Sequence, residues 1–90
     1  MSTPKLPLPD GLVAFVKKDC PTCVTVAPVL AQLAERTQLT VFTQDDLAFP
    51  EGLNPRDDTA LDYSWHHDIE AVPTLIRVAG GVEQERRLGW

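Results

Sequence analysis

The sequence has few cysteines, few glycines and no long apolar run, and each shortage excludes a class of protein. The longest purely apolar run, Leu12–Val16, is far too short to cross a bilayer. Three prolines interrupt the first ten residues, where a secretion signal would need an apolar segment, so we expect a cytoplasmic protein with no membrane partner. No glycine-rich phosphate loop and no Ser/His/Asp set of a hydrolase occurs in the chain.

Positive charge is also scarce. Thirteen acidic residues outnumber eight basic ones, and the net charge of −5 argues against binding to nucleic acid. The segment 45–70 holds eight acidic residues and one basic residue, Arg56. We interpret the segment as a solvated acidic face, with a patch that steers a partner as the alternative.

The length of 90 residues, 43% of them hydrophobic, predicts a single globular domain over residues 1–90. A chain of this size buries one small core, because the buried fraction of the surface falls with chain length. The length excludes a TIM barrel, a full dinucleotide-binding domain and a two-domain enzyme.

Hydrophobic periodicity predicts a strand, a helix and a second strand in the first half of the chain. The continuous apolar run Leu12–Val16 is typical of a strand buried on both faces, and residues 39–43 resemble it. Between them, apolar residues at helical spacing predict a helix from Pro21 to about Arg36. This is a βαβ unit, so its two strands should be parallel.

The second half predicts a shorter helix followed by a hairpin. Residues 45–57 should be irregular, and Asp57-Asp58 should begin a helix whose Leu61, Trp65 and Ile69 face inward. Trp65 and Tyr63 are interpreted as core or rim packing rather than as a binding platform. Strands at 74–79 and 82–88 flank a turn at residues 80–81. The order β-α-β-α-β-β predicts a four-stranded mixed sheet with flanking helices.

Cys20 and Cys23, the two cysteines of the chain, are the candidates for chemistry. Such a pair can be a structural disulfide, half of a metal site or a redox couple, and the reducing cytosol disfavours the first. Zinc needs four ligands, and the adjacent His66 and His67 would point apart on a helix, so a metal site would require a dimer sharing two pairs. In the predicted βαβ unit, Cys20 lies at the helix N-terminus, where free N–H groups favour the thiolate, and Cys23 lies within disulfide reach.

With three further features, the pair resembles the thioredoxin family. Pro28 lies five residues after Cys23, where thioredoxins carry a helix-kinking proline. Residues 72–74, Val-Pro-Thr, match the family's V/I-P-T motif, and residues 74–89 are similar to its hairpin, including the glycine after the second strand. The resemblance covers about residues 12–90 and implies a thioredoxin-like fold.

The resemblance also implies a role for each matching residue. Cys20 would be the attacking nucleophile and Cys23 the resolving thiol. Pro73 would be a cis proline beside the sulfurs, and the backbone of Val72, followed by Thr74, would bind an extended substrate segment. The implied activity is thiol–disulfide exchange on disulfide-containing proteins, with electrons from a thioredoxin reductase or glutathione and without a bound cofactor.

The chain departs from the family pattern around the cysteines. Asp19 stands where thioredoxins usually have Trp, and Pro21-Thr22 replaces Gly-Pro between the cysteines. The charge of Asp19 opposes thiolate formation, whereas Lys17 and Lys18 favour it. The proline after the first cysteine and the spacing of Lys17 are glutaredoxin-like. A glutathione-dependent reductase and a redox-inactive binding module with the same fold are therefore the alternatives.

Two further departures concern the sheet. Ala14 corresponds to the position where thioredoxins place a buried acidic residue, so a proton relay through that group is in doubt. Thioredoxins also continue, after the glycine matched by Gly89, into a final helix that covers one sheet face. Here only Trp90 follows. We expect either a longer natural chain or another partner over that face, which would otherwise expose apolar side chains.

Overall fold

A computed structural model describes residues 6–89, so the predictions for residues 1–5 and for Trp90 lie outside the described residues. In chain order the elements are β1 (Gly11–Val16), α1 (Pro21–Arg36), β2 (Leu39–Thr43), β3 (Arg56–Asp57), α2 (Asp62–His66), β4 (Thr74–Ala79) and β5 (Val82–Leu88). None of the described helices has the length and apolar character needed to cross a membrane.

The strands form one mixed sheet in the order β3-β2-β1-β4-β5. β1 pairs in parallel with β2, so the two strands end side by side, at Val16 and Thr43, with their carboxyl ends on the same side of the molecule. β4 is antiparallel to both β1 and β5. The predicted α/β class and strand directions are confirmed, but the strand count is five rather than four. The added strand, β3, has two polar residues and therefore carries no hydrophobic periodicity that a sequence could show.

Alternating side chains of β1 supply both halves of the core. Val13 and Phe15 face one side of the sheet, and Ala14 and Val16 face the other, all fully buried. The first pair packs in a cluster with Leu8, Phe42, Ile76 and Val78. The second pair packs under α1 with Cys23, Val26, Leu30 and Val41. The sequence therefore places the second cysteine in the helix face that covers the sheet.

The second helix differs from its prediction in start and in orientation. It begins at Asp62, not at Asp57-Asp58, because the buried carboxylate of Asp58 accepts hydrogen bonds from Tyr63 and Ser64. Leu61 and Trp65, expected to face inward, are 46% and 85% exposed.

Tyr63 and Ile69 contact the core next to α2, where the ring of Tyr63 packs against that of Phe42 at a tilt of 33°, with ring centroids 4.5 Å apart. Inward packing is thus confirmed for Ile69 and Tyr63. It is wrong for Leu61 and Trp65.

One part of the sheet face beside α1 is open. Leu33, Leu75 and Leu88 line a groove of about 400 Å³ there, together with Val29 and Arg87. The expected apolar exposure on this face is therefore present among residues 6–89.

Candidate active site

The two cysteines lie at the start of α1, just beyond the carboxyl end of β1. Cys20 is the N-cap, and its extended backbone (φ −157°) turns its Sγ toward the first helical turn, where it accepts the N–H of Cys23 at 3.3 Å. Pro21 occupies the first helical position, where a missing N–H has no helical partner to lose. Both cysteines are free thiols. Cys20 is partly exposed, whereas Cys23 is fully buried under the helix.

The Val72–Pro73 peptide bond is cis and brings a second backbone segment to the first cysteine. The Cys20 thiol donates to the Val72 carbonyl oxygen, with Sγ 3.7 Å from it. Thr74 is fully buried, and its hydroxyl donates to the Ala71 carbonyl at 2.6 Å, which closes the turn around the proline. The structure therefore places the Val72 backbone at Cys20, and turns the Thr74 side chain away from it into the fold.

Burial sets the protonation of the second cysteine. It raises the pKa of the Cys23 thiol to about 12, and the hydrogen bond with Cys20 acts in the same direction. The backbone N–H of Lys17, which lies 3.5 Å from the Cys23 Sγ, acts in the opposite direction and does not offset the burial. Cys23 is a neutral thiol at physiological pH. Ala14 is fully buried in the same cluster, so β1 contributes an apolar methyl group and no carboxylate at this position.

A carboxylate from the loop after β2 holds the segment before Cys20. Asp45 accepts the N–H of Lys18 at 2.7 Å and the N–H of Asp19 at 3.0 Å. Desolvation alone would raise the pKa of Asp45, but these bonds and a third from Asp46 outweigh it and lower the pKa below its ordinary value of 3.8.

The sequence analysis counted Asp45 as part of a solvated acidic face and did not predict this contact. The predicted βαβ unit was a usable signal for it. Parallel strands place the loops after β1 and β2 side by side, as the pairing of Val16 with Thr43 shows.

The other residues expected around the cysteines lie on the surface. Lys18, Asp19, Pro21 and Thr22 are all exposed. The Lys18 ammonium pairs with Asp46 at 3.5 Å rather than with a sulfur. In this geometry the backbone of the segment 17–19 contacts the site, and the side chains of Lys18 and Asp19 project into solvent.

The described chain offers no group of three or more His, Cys, Asp or Glu side chains that could hold a metal ion. His66 lies at the end of α2, and the ring of its neighbour His67 hydrogen-bonds through Nε2 to the Leu6 carbonyl oxygen at 2.6 Å. The His67 ring is therefore engaged by the backbone of the segment before β1.

No protein-family model and no curated protein sequence matches this chain. Among solved structures, the chain is similar to the reduced thioredoxin pre-protein of Schistosoma mansoni, with a TM-score of 0.60 and 23% sequence identity. The alignment covers 89% of this chain and 68% of the other. Together with the observed sheet order and helix positions, this likeness shows that the chain adopts a thioredoxin-like fold.

Proposed function

We propose that this protein is a thiol–disulfide oxidoreductase that uses Cys20 and Cys23 as a dithiol–disulfide couple. The observation that carries the proposal is the asymmetry of the pair. Cys20 is partly exposed at a helix N-terminus and its Sγ accepts the Cys23 N–H at 3.3 Å, whereas Cys23 is buried and protonated. An accessible sulfur with an N–H donor is suited to attack, and a shielded sulfur is suited to resolve the product.

The reaction has two exchange steps. The Cys20 thiolate attacks one sulfur of a substrate disulfide and displaces the other as a thiolate, forming a mixed disulfide. The Cys23 thiol gives its proton to that departing thiolate and attacks the Cys20 sulfur. This releases the second substrate thiolate and forms the Cys20–Cys23 disulfide. Two electrons pass from the dithiol to the substrate, and an external dithiol reductase or glutathione returns them.

The Val72 backbone supports the binding part of the proposal. Its carbonyl lies beside the Cys20 sulfur, and the preceding residues Glu70 and Ala71 are exposed. An extended substrate segment could add to this edge through main-chain hydrogen bonds, which would align its disulfide with Cys20. Thr74 contributes indirectly, because its hydroxyl closes the turn.

Reduction of insulin, with dithiothreitol as electron donor, tests the proposal. The wild-type protein should accelerate the reaction, and Cys20→Ser should abolish the acceleration. Cys23→Ser, reduced beforehand and mixed with insulin after the dithiothreitol has been removed, should accumulate a mixed disulfide with the substrate, detectable by mass spectrometry. Iodoacetamide should label Cys20 in the native reduced protein long before it labels the buried Cys23.

The same variants separate the alternatives. Glutathione-driven reduction that survives in Cys23→Ser would identify a monothiol, glutaredoxin-like route. A pair that oxidises reversibly but reduces no disulfide would identify a binding module. Metal retained by anaerobically purified protein would identify a metal-binding dimer.

A further inference from the structure

A groove beside α2 shares two of its lining residues, Lys17 and Val72, with the surroundings of the cysteine site. Its volume is about 320 Å³, and its lining includes Lys17, Gln44, Leu61, Trp65, Glu70 and Val72. At one end is Val72, whose carbonyl oxygen contacts the Cys20 sulfur, and the backbone N–H of Lys17 contacts the Cys23 sulfur. A molecule lying in this groove, here called the Trp65 groove, would therefore lie next to the residue whose carbonyl contacts the Cys20 sulfur.

The wall of the Trp65 groove is held in place by a buried carboxylate. Asp58 is 2% exposed and accepts hydrogen bonds from the Tyr63 N–H at 2.8 Å, the Ser64 N–H at 3.0 Å and the Ser64 hydroxyl at 2.6 Å. The Gln44 amide donates to the same hydroxyl at 2.8 Å, joining α2 to the loop after β2. The backbone position of Trp65 on α2 is therefore held by tertiary hydrogen bonds, which a flexible surface loop would lack.

Two large apolar side chains stand on this fixed wall. Trp65 is 85% exposed and Leu61 is 46% exposed. Covering them with an apolar side chain of a partner would remove both surfaces from water, and aromatic side chains contribute most strongly to such contacts. A tryptophan side chain also has only two rotatable bonds and so loses little conformational freedom on binding.

The charges around the groove favour a partner of positive charge. Glu70 and Lys17 both line the groove, exposed Asp62 begins α2, and exposed Asp68 follows it, so three carboxylates stand against one ammonium group. The surrounding segment 45–70 has eight acidic residues against Arg56, and the whole chain has a net charge of −5. This field attracts a basic polypeptide and repels an acidic one.

We infer that the Trp65 groove docks a bulky apolar side chain that lies next to the reactive cysteine of a basic, disulfide-containing polypeptide. The inference rests on the proposed function, for which it names the substrate class. Docking at Trp65 would set the register of the substrate along Val72 and present its disulfide to Cys20. Selectivity among substrates would then depend on the residues next to the disulfide, since the exchange chemistry itself is the same for every disulfide.

Three short synthetic peptides with one internal disulfide test this inference. One has Phe beside the cysteine and Lys at the flanks. The second replaces that Phe with Ala, and the third replaces the Lys residues with Glu. Bis(2-hydroxyethyl) disulfide serves as the small substrate. Steady-state kcat/KM is measured for the wild type, for Trp65→Ala and for Val82→Ala, which removes a 60% exposed apolar side chain at the far end of the hairpin.

The wild type should prefer the Phe peptide over the Ala peptide by about tenfold in kcat/KM, mainly through KM. Trp65→Ala should reduce that preference to less than about threefold, whereas Val82→Ala should retain it. The Glu-flanked peptide should be the poorer substrate at low salt, and the difference should shrink as ionic strength rises. An unchanged Phe preference in Trp65→Ala, with the wild type active, would overturn the inference.

A binding measurement separates this inference from the proposed function. Trp90→Phe leaves Trp65 as the single tryptophan. Titration with unreactive peptides, in which Ser replaces both cysteines, should change the Trp65 emission for the Phe peptide at concentrations where the Ala peptide has no effect. If the wild type reduces no disulfide but this change occurs, docking stands and the oxidoreductase proposal fails. Equal emission changes with both peptides would contradict docking regardless of turnover.

Discussion

Asp45 and Asp19 are joined by a hydrogen bond of 3.0 Å, in which the backbone N–H of Asp19 donates to the carboxylate of Asp45. The N–H of Lys18 occupies the other oxygen at 2.7 Å. One side chain from the loop after β2 thus fixes the two residues that precede the candidate nucleophile. We expect the position of the Cys20 sulfur to depend on this carboxylate.

Asp45→Ala should slow the reaction of Cys20 with bis(2-hydroxyethyl) disulfide by about tenfold, because small displacements of a reacting atom are costly in rate. Asp45→Asn keeps one acceptor oxygen and should lose less. Stopped-flow kinetics measures the rates, and hydrogen exchange at the Lys18 and Asp19 amides should accelerate in parallel. Glu51→Ala, which removes an exposed carboxylate from the same loop, is the control. Equal rates in Asp45→Ala and in this control would exclude a positioning role.

The buried thiol makes the stability of the reduced protein depend on alkaline pH. The pKa of Cys23 is about 12 in the fold against an ordinary value of 9.0, so the folded state holds its proton more tightly than the unfolded state. The resulting stabilisation is present below pH 9.0 and is lost as the pH rises from 9.0 toward 12. Relative to Cys23→Ala, the wild type should lose about 1 kcal/mol of unfolding free energy between pH 8 and pH 10.

Urea denaturation in the presence of a phosphine reductant measures this difference. Comparison with Cys23→Ala removes the contribution of lysines and tyrosine, which titrate in both proteins. Parallel pH profiles for the two proteins would mean that Cys23 ionises as easily in the fold as in the unfolded chain.

The sheet and α1 could be predicted from the sequence because their signals are long and local. The bounds predicted for Leu39–Thr43 and Val82–Leu88 agree with β2 and β5, and α1 runs from Pro21 to Arg36 as expected. The helical repeat identifies α1, the apolar and β-branched residues identify β2, and the turn at residues 80–81 places β5 as the returning strand of a hairpin. The separation of Cys20 and Cys23 by one helical turn follows from the same local pattern.

The environment of the site depended on contacts that periodicity does not encode. Leu61 and Trp65 have the i, i+4 spacing of a buried stripe, yet three hydrogen bonds to the buried Asp58 set the start of α2 and leave both side chains outside. A helix of five residues is too short for its own pattern to prevail over such tertiary bonds. The contact of Asp45 with Asp19 likewise depends on how two loops meet across parallel strands.

Gly11 should resist substitution more than a glycine in an open turn. Its φ is +101°, and a Cβ at this position would lie 2.8 Å from the Gln38 carbonyl oxygen. Gly11→Ala combines backbone strain with a clash against backbone at the start of β1, and should cost about 3 kcal/mol. Gly52→Ala has similar strain (φ +82°) but meets nothing within 4 Å, and should cost only about 1 kcal/mol. Equal urea midpoints for the two variants would contradict the clash.

Asp58 is the residue whose loss should affect stability and substrate selection together. Asp58→Ala leaves the donors of Tyr63 and Ser64 without their buried acceptor, and should destabilise the protein by about 3 kcal/mol. Asp57→Ala is the matched control, since Asp57 is exposed and its carboxylate bonds only to Thr59 among the described residues. Urea denaturation followed by circular dichroism measures both variants.

If Asp58 also orients Trp65, a milder substitution that leaves the protein folded should still change its substrate preference. Asp58→Asn retains one oxygen acceptor for the Ser64 hydroxyl or for an N–H, so we expect a smaller loss of stability and a folded protein at room temperature. Its preference for the Phe peptide should fall although Trp65 is still present, while its activity on the small disulfide should fall much less. A folded Asp58→Asn with the full wild-type preference would show that Trp65 docks substrate without this support, because the side chain would then be positioned by α2 alone.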